Sequence, residues 1–202
     1  MKKLPIQFYK RKDVLLIAKE LIGKIIVTNF EGTITSGRIV ETEAYIGLTD
    51  RASHSFGGKR TTRNEHMYSF AGTVYVYICY GLHHLFNVVT NAANVPDAVL
   101  IRAVEPITGI GTMLKRTGKP KLDNTLTKGP GNAAKALGIS KRHSGKNLDN
   151  DEIYIADDGF KIAETAIGIS RRIGVEGSGD AALLPYRFYV KENVFVSGYP
   201  NK

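Results

Sequence analysis

Eight consecutive residues, Thr73-Val-Tyr-Val-Tyr-Ile-Cys-Tyr80, constrain the fold more than any other stretch of the chain. β-Branched and aromatic side chains lose rotamer freedom in a helix and pack well on a pleated surface, so this run is a strand. Leu85 to Thr90 has the same character, and only a few residues separate the two, so they form an antiparallel hairpin. Its tip, Tyr80-Gly81-Leu82-His83-His84, is aromatic and apolar where tips are ordinarily polar. Two readings are open: a contact finger that wedges into a partner, or a tip packed on a neighbouring loop.

A second unusual strand is Gly37-Arg-Ile-Val-Glu-Thr-Glu-Ala-Tyr45. Side chains alternate across a strand, which puts Glu41, Glu43 and Tyr45 on one face and Val40, Thr42 and Ala44 on the other. Burying a carboxylate is costly unless it is paired, so the acidic face lines a wet or functional surface, or else is a solvated edge with a chance aromatic. Neither carboxylate is preferred by pattern alone. The apolar run Ala98 to Glu105 reads as a central strand stopped by Pro106, and Arg102 is out of place in it. A guanidinium stays charged in any environment, so Arg102 either snorkels to an edge or meets an acid, with Glu41 and Glu105 as structural partners.

The remaining pattern supplies a frame. Asp13 caps and Gly23 stops a helix over Lys12 to Gly23, and Lys24 to Asn29 returns through Glu31-Gly32 into the acidic strand. Ile46 to Gly72 is a long polar loop carrying Arg51, Lys59, Arg60 and Arg63, and loops of that length are functional or disordered. A short helix lies around Thr112 to Arg116. Lys128-Gly-Pro-Gly-Asn132 opens a helix over Ala133 to Leu137, and free N–H groups at its start could hold a phosphate. Glu152 to Ala156, Phe160 to Ala163, Ala166 to Ile173 and Arg187 to Val196 read as strands, with Asp158-Gly159 as a hairpin turn. No repeat or linker interrupts the chain. The expected fold is one α+β domain over residues 1–202: a curved, mainly antiparallel sheet with peripheral helices and a protruding β-hairpin.

Charge narrows the function. The 202 residues include 28 Lys and Arg against 19 Asp and Glu, a net charge of +9. Nucleic acid is the first partner to consider, then an anionic membrane surface, then no polyanion at all. Cys79 is the only cysteine, which excludes an intramolecular disulfide and a thiolate metal cluster and suits a reducing interior. The N-terminus lacks the apolar run of a signal peptide, and no segment approaches the length of a membrane span. An intracellular protein is expected, cytoplasmic or nucleoid-associated in a bacterium and nuclear in a eukaryote. Phosphate-loop, dinucleotide and zinc-protease signatures are missing, so no nucleotide cofactor and no metal are implied. An acidic strand, a basic loop and an apolar finger on a basic chain suit an enzyme acting on a nucleic-acid base. Such an enzyme needs cations for phosphates, a plug for the gap left by an extruded nucleotide, aromatics to stack on it, and an acid or base at the reacting atom.

Several segments, in order, resemble the 3-methyladenine DNA glycosylases of the alkyladenine (methylpurine) type. They are Gly37 to Tyr45, His54-Ser55, Thr62-Arg-Asn64, Gly72 to Gly81 with Asn87, Leu100-Ile-Arg-Ala103, Lys128-Gly-Pro130, Arg172-Ile-Gly-Val175 and Leu184-Pro-Tyr-Arg-Phe-Tyr189. The resemblance implies that Glu43 is the general base, activating a water for attack on the sugar C1′. It implies that Arg102 helps hold that water and that the backbone of Ile173 borders it. Tyr45, His54 and Tyr77 match residues enclosing the extruded base, and Asn87 matches one that opposes the exocyclic amino group of guanine. Tyr80 matches the tyrosine inserted into the vacated stack. His83 and His84 stand where other members can carry an aromatic, so intercalation here rests on Tyr80 and Leu82.

Elementary chemistry agrees with these roles. Glu43 and Tyr45 share a face, and a cationic Arg102 beside Glu43 would keep the carboxylate ionised, as a base requires. Purines alkylated at N3 or N7 are cationic and already leave readily; tyrosine faces favour them by roughly 0.5 to 2 kcal/mol. Neutral lesions such as hypoxanthine, also implied as substrates, need a hydrogen bond or proton on the leaving purine, which His54 could offer. With water as nucleophile no Schiff base forms, so the enzyme is monofunctional, without strand cleavage. The implied partner is double-stranded DNA containing damaged purines, bound by a monomer. The alternative is a non-catalytic module that binds distorted or damaged DNA through the same finger and basic surface; an RNA-directed or small-molecule transferase is a weaker third.

Overall fold

The computed structural model describes residues 1–198. Its elements in chain order are β1 (Lys2–Lys3), α1 (Ile6–Tyr9), α2 (Val14–Leu21), β2 (Ile25–Phe30), β3 (Thr33–Tyr45), β4 (Val74–Cys79), β5 (His83–Thr90) and β6 (Asp97–Thr108). There follow α3 (Ile110–Thr117), α4 (Pro130–Leu137), β7 (Ile153–Asp157), β8 (Ile167–Ser170) and β9 (Arg187–Val190), with short 3-10 turns between them. One antiparallel sheet joins the strands in the order β1-β7-β2-β3-β6-β5-β4. β9 pairs with Glu41 to Glu43 of β3 and carries β8 at its other edge. The expected α+β domain with a mainly antiparallel sheet and few helices is what the described residues form; residues 199–202 of the expected span lie outside them.

β3 organises the rest. Its first half pairs with β2 on one side, Glu41 to Glu43 pair with β9, and β6 runs along the other side from Ser36 to Tyr45. Register shifts interrupt the β3–β6 ladder around Gly37 and Glu41. At Gly37 a Cβ would stand 2.7 Å from the Val104 side chain, so the strands approach there only because glycine has none. Asp13 caps α2 through Leu16 N–H at 2.9 Å, and Thr42 fastens the same helix to β3 by donating to Ala18 O at 2.9 Å.

Period-2 alternation separates the two faces of the sheet. Val74, Val76, Phe86, Val88, Val99, Ile101 and Ala44 point into the main core, with α2 and α4 contributing Ile17, Leu21 and Leu137. Tyr75, Tyr77, Asn87, Leu100, Arg102, Glu43 and Tyr45 alternate with them and take the opposite face, partly roofed by the 46–72 loop through Met67 and Tyr68.

Five expectations need correction. β6 runs through Pro106 to Thr108; β5 covers β6 only as far as Leu100, so the missing N–H of Pro106 lies on the open side of the strand. Phe160 to Ala163 is not a strand. The Asp157 and Asp158 carboxylates accept from Gly159 and Phe160 N–H, so side chains take the place of a ladder, and Phe160 lies against the Arg38 guanidinium at 4.3 Å. Strands expected over Ala166 to Ile173 and Arg187 to Val196 shorten to β8 and β9, the latter ending before left-handed Glu192. The finger tip is only Tyr80 to Leu82, because His83 and His84 already pair in β5.

Candidate active site

The polar face of the sheet, the 46–72 loop and the start of α4 enclose a cavity of about 480 Å³. Of the nine residues singled out from sequence, Tyr45, His54, Tyr77, Tyr80, Asn87, Arg102 and Ile173 line it. Glu43 does not. It is fully buried, yet three residues contacting it all line the cavity, so the carboxylate lies directly behind the cavity floor. Leu82 faces the other side of the hairpin.

The two carboxylates of β3 have different surroundings. Four donors converge on Glu41: Arg102 Nε at 2.8 Å, Arg187 Nε at 2.7 Å, Ser197 N–H at 2.7 Å and Ser197 Oγ at 2.9 Å. Among the described residues Glu43 accepts two hydrogen bonds, from Ile173 N–H at 2.8 Å and from the Tyr45 hydroxyl at 2.7 Å, and faces Arg102 Nη1 at 3.2 Å. Arg102 therefore bridges Glu41 and Glu43 and not Glu105, which is exposed and accepts from Asn193. Burial alone would lower the pKa of Arg102, but the charges of Glu43 and Glu41 outweigh it and hold the guanidinium above its ordinary value. Burial, with Glu43 adding to it, raises the Tyr45 hydroxyl well above its usual range, so Tyr45 stays a donor.

His54 stands across the cavity, edge-on to Tyr77 at 4.5 Å between ring centres, with Nδ1 2.9 Å from the Tyr75 hydroxyl. Burial first, then the positive charge of Arg63 and Lys59, pushes its pKa down to about 4, so the ring is neutral at physiological pH. Asn87 is held by its amide nitrogen, which donates to Tyr75 O and Leu85 O, both at 3.2 Å. At the finger tip Tyr80 and Gly81 both take left-handed backbone, with φ of 51° and 70°, and Leu82 N–H closes the turn on Cys79 O at 3.1 Å. A left-handed tyrosine is strained, and this one is 89% exposed.

Sequence reasoning passed over two contributors. Tyr75 lies two residues before Tyr77, and that spacing put it on the same face. Arg172 and Asp50 are 122 positions apart with no pattern linking them. Arg172 grips Asp50 with both terminal nitrogens, Nη2 to Oδ1 at 2.9 Å, and donates to Ala44 O at 2.9 Å and Ala181 O at 3.0 Å. Its guanidinium lies between the rings of Tyr45 (4.7 Å) and Tyr186 (5.2 Å), and its chain neighbour Ile173 aims an N–H at Glu43. Tyr45 and the Ile173 amide are thus both set by one buried ion pair.

A family model described as methylpurine-DNA glycosylase (MPG) matches residues 7–194. The chain belongs to that family. Among its relatives, provisionally named 3-methyladenine DNA glycosylases, one from Clostridium perfringens is 43% identical, covering 94% of this chain and 96% of the relative. One from Desulfitobacterium hafniense is 42% identical over 98% of this chain and 99% of the relative, and one from Chlamydia felis 45% identical over 92% and 94%. As a methylpurine-DNA glycosylase family member the chain is a DNA-repair hydrolase whose substrate is damaged DNA.

Proposed function

We propose that the protein extrudes alkylated or deaminated purines, the 3-methyladenine, 7-methylguanine and hypoxanthine class, from duplex DNA and hydrolyses their N-glycosidic bond. The observation that carries this reading is a buried carboxylate, Glu43, held by Arg102, Tyr45 and Ile173 N–H at the floor of an aromatic cavity beside an exposed finger. Water attacks C1′ as the C1′–N9 bond breaks, the bonding pair leaves with the purine, and Glu43 takes the proton of the water. Among the described residues the Tyr45 hydroxyl is the one hydrogen bond on Oε2, so a water reaching that oxygen has a single contact to displace. Arg102 Nη1 and the Ile173 N–H both meet the other oxygen, Oε1, and so fix how the carboxylate presents Oε2 to the water.

Tyr45, Tyr77 and His54 enclose the extruded base. In the tautomer whose Nδ1 accepts from the Tyr75 hydroxyl, 2.9 Å away, Nε2–H is left to hydrogen-bond the edge of a neutral lesion. Asn87, fixed by its two backbone contacts, opposes the 2-amino group of guanine by its bulk. Tyr80 fills the vacated stack, with Leu82 beside it. No lysine takes part, so the product is an abasic site and an intact strand. The whole chain acts as one such domain, as a monomer without metal or cofactor, inside the cell.

Incubating the purified protein with a duplex containing hypoxanthine or a methylpurine, then cleaving abasic sites with alkali, tests the reading in one gel. Alkali-dependent cleavage at the lesion is expected. Binding without cleavage would leave a damage-binding module, and a borohydride-trapped adduct would replace the water mechanism.

A further inference from the structure

The finger has two sides, and the base cavity occupies one. On the other, Leu82, His83 and His84 face Arg116 near the end of α3 and Lys135 near the end of α4 across a groove of about 590 Å³. His83 separates the two cavities and lies over Gly131, where a Cβ would come within 2.9 Å of the imidazole; both residues line both spaces. Among the described residues no carboxylate lines the groove.

Among the described residues neither Arg116 nor Lys135, the two cations of the groove, has a partner of opposite charge. The Arg116 guanidinium lies flat on Gly138, where a Cβ would meet Cζ at 2.7 Å. Nη1 donates to Thr35 Oγ1 and Ala136 O, both at 3.1 Å, and among the described residues no carboxylate pairs with it. Burial, unopposed by any anion, pulls its pKa below the ordinary value. Lys135 is exposed and among the described residues reaches only the carbonyl of Thr117, at 3.5 Å. A partly desolvated cation with neutral partners is completed by an anion.

We propose that this groove holds backbone phosphates of the DNA strand opposite the extruded nucleotide. The inference rests on the reading that Tyr80 enters the stack. A nucleotide leaving the helix swings outward on the side of its own strand, into the cavity bordered by Tyr80. The far side of the finger then faces across the helix axis to the intact strand. Arg116 and Lys135 meet its phosphates, and Leu82 at the lip of the groove meets the sugars.

The test is equilibrium binding, by fluorescence anisotropy, to a duplex with a single abasic-site analogue, measured across a range of salt. Lys135→Ala should flatten the slope of log K against log[salt] by about 0.9, the value for one phosphate contact on B-DNA. Single methylphosphonates then neutralise one phosphate at a time in either strand without altering the protein, so a folding defect cannot mimic the result. Neutralising one or two phosphates of the intact strand should weaken binding by the wild type and remove most of the further effect of Lys135→Ala. Coupling only to phosphates of the lesion-bearing strand, or to none, overturns the proposal. Failure of the glycosylase reading looks different: the wild type would release no base from a lesion duplex, whichever strand couples to Lys135.

Discussion

Converting each carboxylate of β3 to its amide, one at a time, should divide stability from catalysis. In Glu41→Gln the four converging donors lose their anion, and one amide offers a single acceptor oxygen in place of two. Arg102 retains Glu43 at 3.2 Å, but the other hydrogen bonds of Arg187 among the described residues go to the Ser170 hydroxyl and the Ser197 carbonyl, leaving its buried charge over the Tyr189 ring without a counter-ion. Breaking a buried pair in this way costs about 3–5 kcal/mol, a large share of a typical domain's total stability. In Glu43→Gln the amide oxygen still accepts from Ile173 N–H, the amide nitrogen donates to the Tyr45 hydroxyl, and Arg102 keeps Glu41 at 2.8 Å. The expected cost is within about 1 kcal/mol. Urea denaturation reads the first difference. Single-turnover release of hypoxanthine or 7-methylguanine reads the second, where Glu43→Gln should lose on the order of 10² to 10⁴ in rate with DNA binding retained. Equal destabilisation by the two substitutions, or full base release by Glu43→Gln, would refute the division of labour.

Tyr80→Ala should leave the urea midpoint unchanged, because the side chain is 89% exposed, while weakening binding to an abasic-site duplex by about 1–3 kcal/mol of lost stacking; unchanged affinity would remove Tyr80 from the stack. Arg172→Met leaves Asp50 charged and buried and should cost about 3–5 kcal/mol, part of which Asp50→Asn restores in the double variant. That double variant should still release base slowly, since Tyr45 and the Ile173 amide lose their common support; a wild-type rate would make the pair purely structural. Acid should also destabilise the fold. His54 and His143 titrate at about 4 when folded and near 6.5 when unfolded, so their contribution is complete above pH 6.5 and disappears as pH falls toward 4. The limiting slope is about 1.4 kcal/mol per pH unit for each histidine, and flat urea midpoints between pH 7 and 5 would contradict it.

Much of the site was legible because strands report it directly. Alternation in β3 put Glu43 and Tyr45 on one face, and resemblance added Tyr77 and His54 to the same cavity. Propensity alone misread Phe160 to Ala163, where two aspartate side chains supply the bonds a ladder would have made. It also misread Pro106, whose tolerance depends on how far β5 extends along β6.

The sequence by itself determined an antiparallel sheet with an apolar finger, a basic surface and an acidic strand, because β-propensity, turn residues and net charge are local or additive properties. Pattern left the two carboxylates of that strand equivalent and resemblance singled out Glu43, but the different surroundings of the two came only from the tertiary structure. Both have the same chemistry and the same face, and what separates them is the company brought by distant segments: Arg187 and Ser197 to Glu41, the Ile173 amide to Glu43. Likewise Arg172 acquires its place behind Tyr45 only when folding carries Asp50 to it across 122 residues.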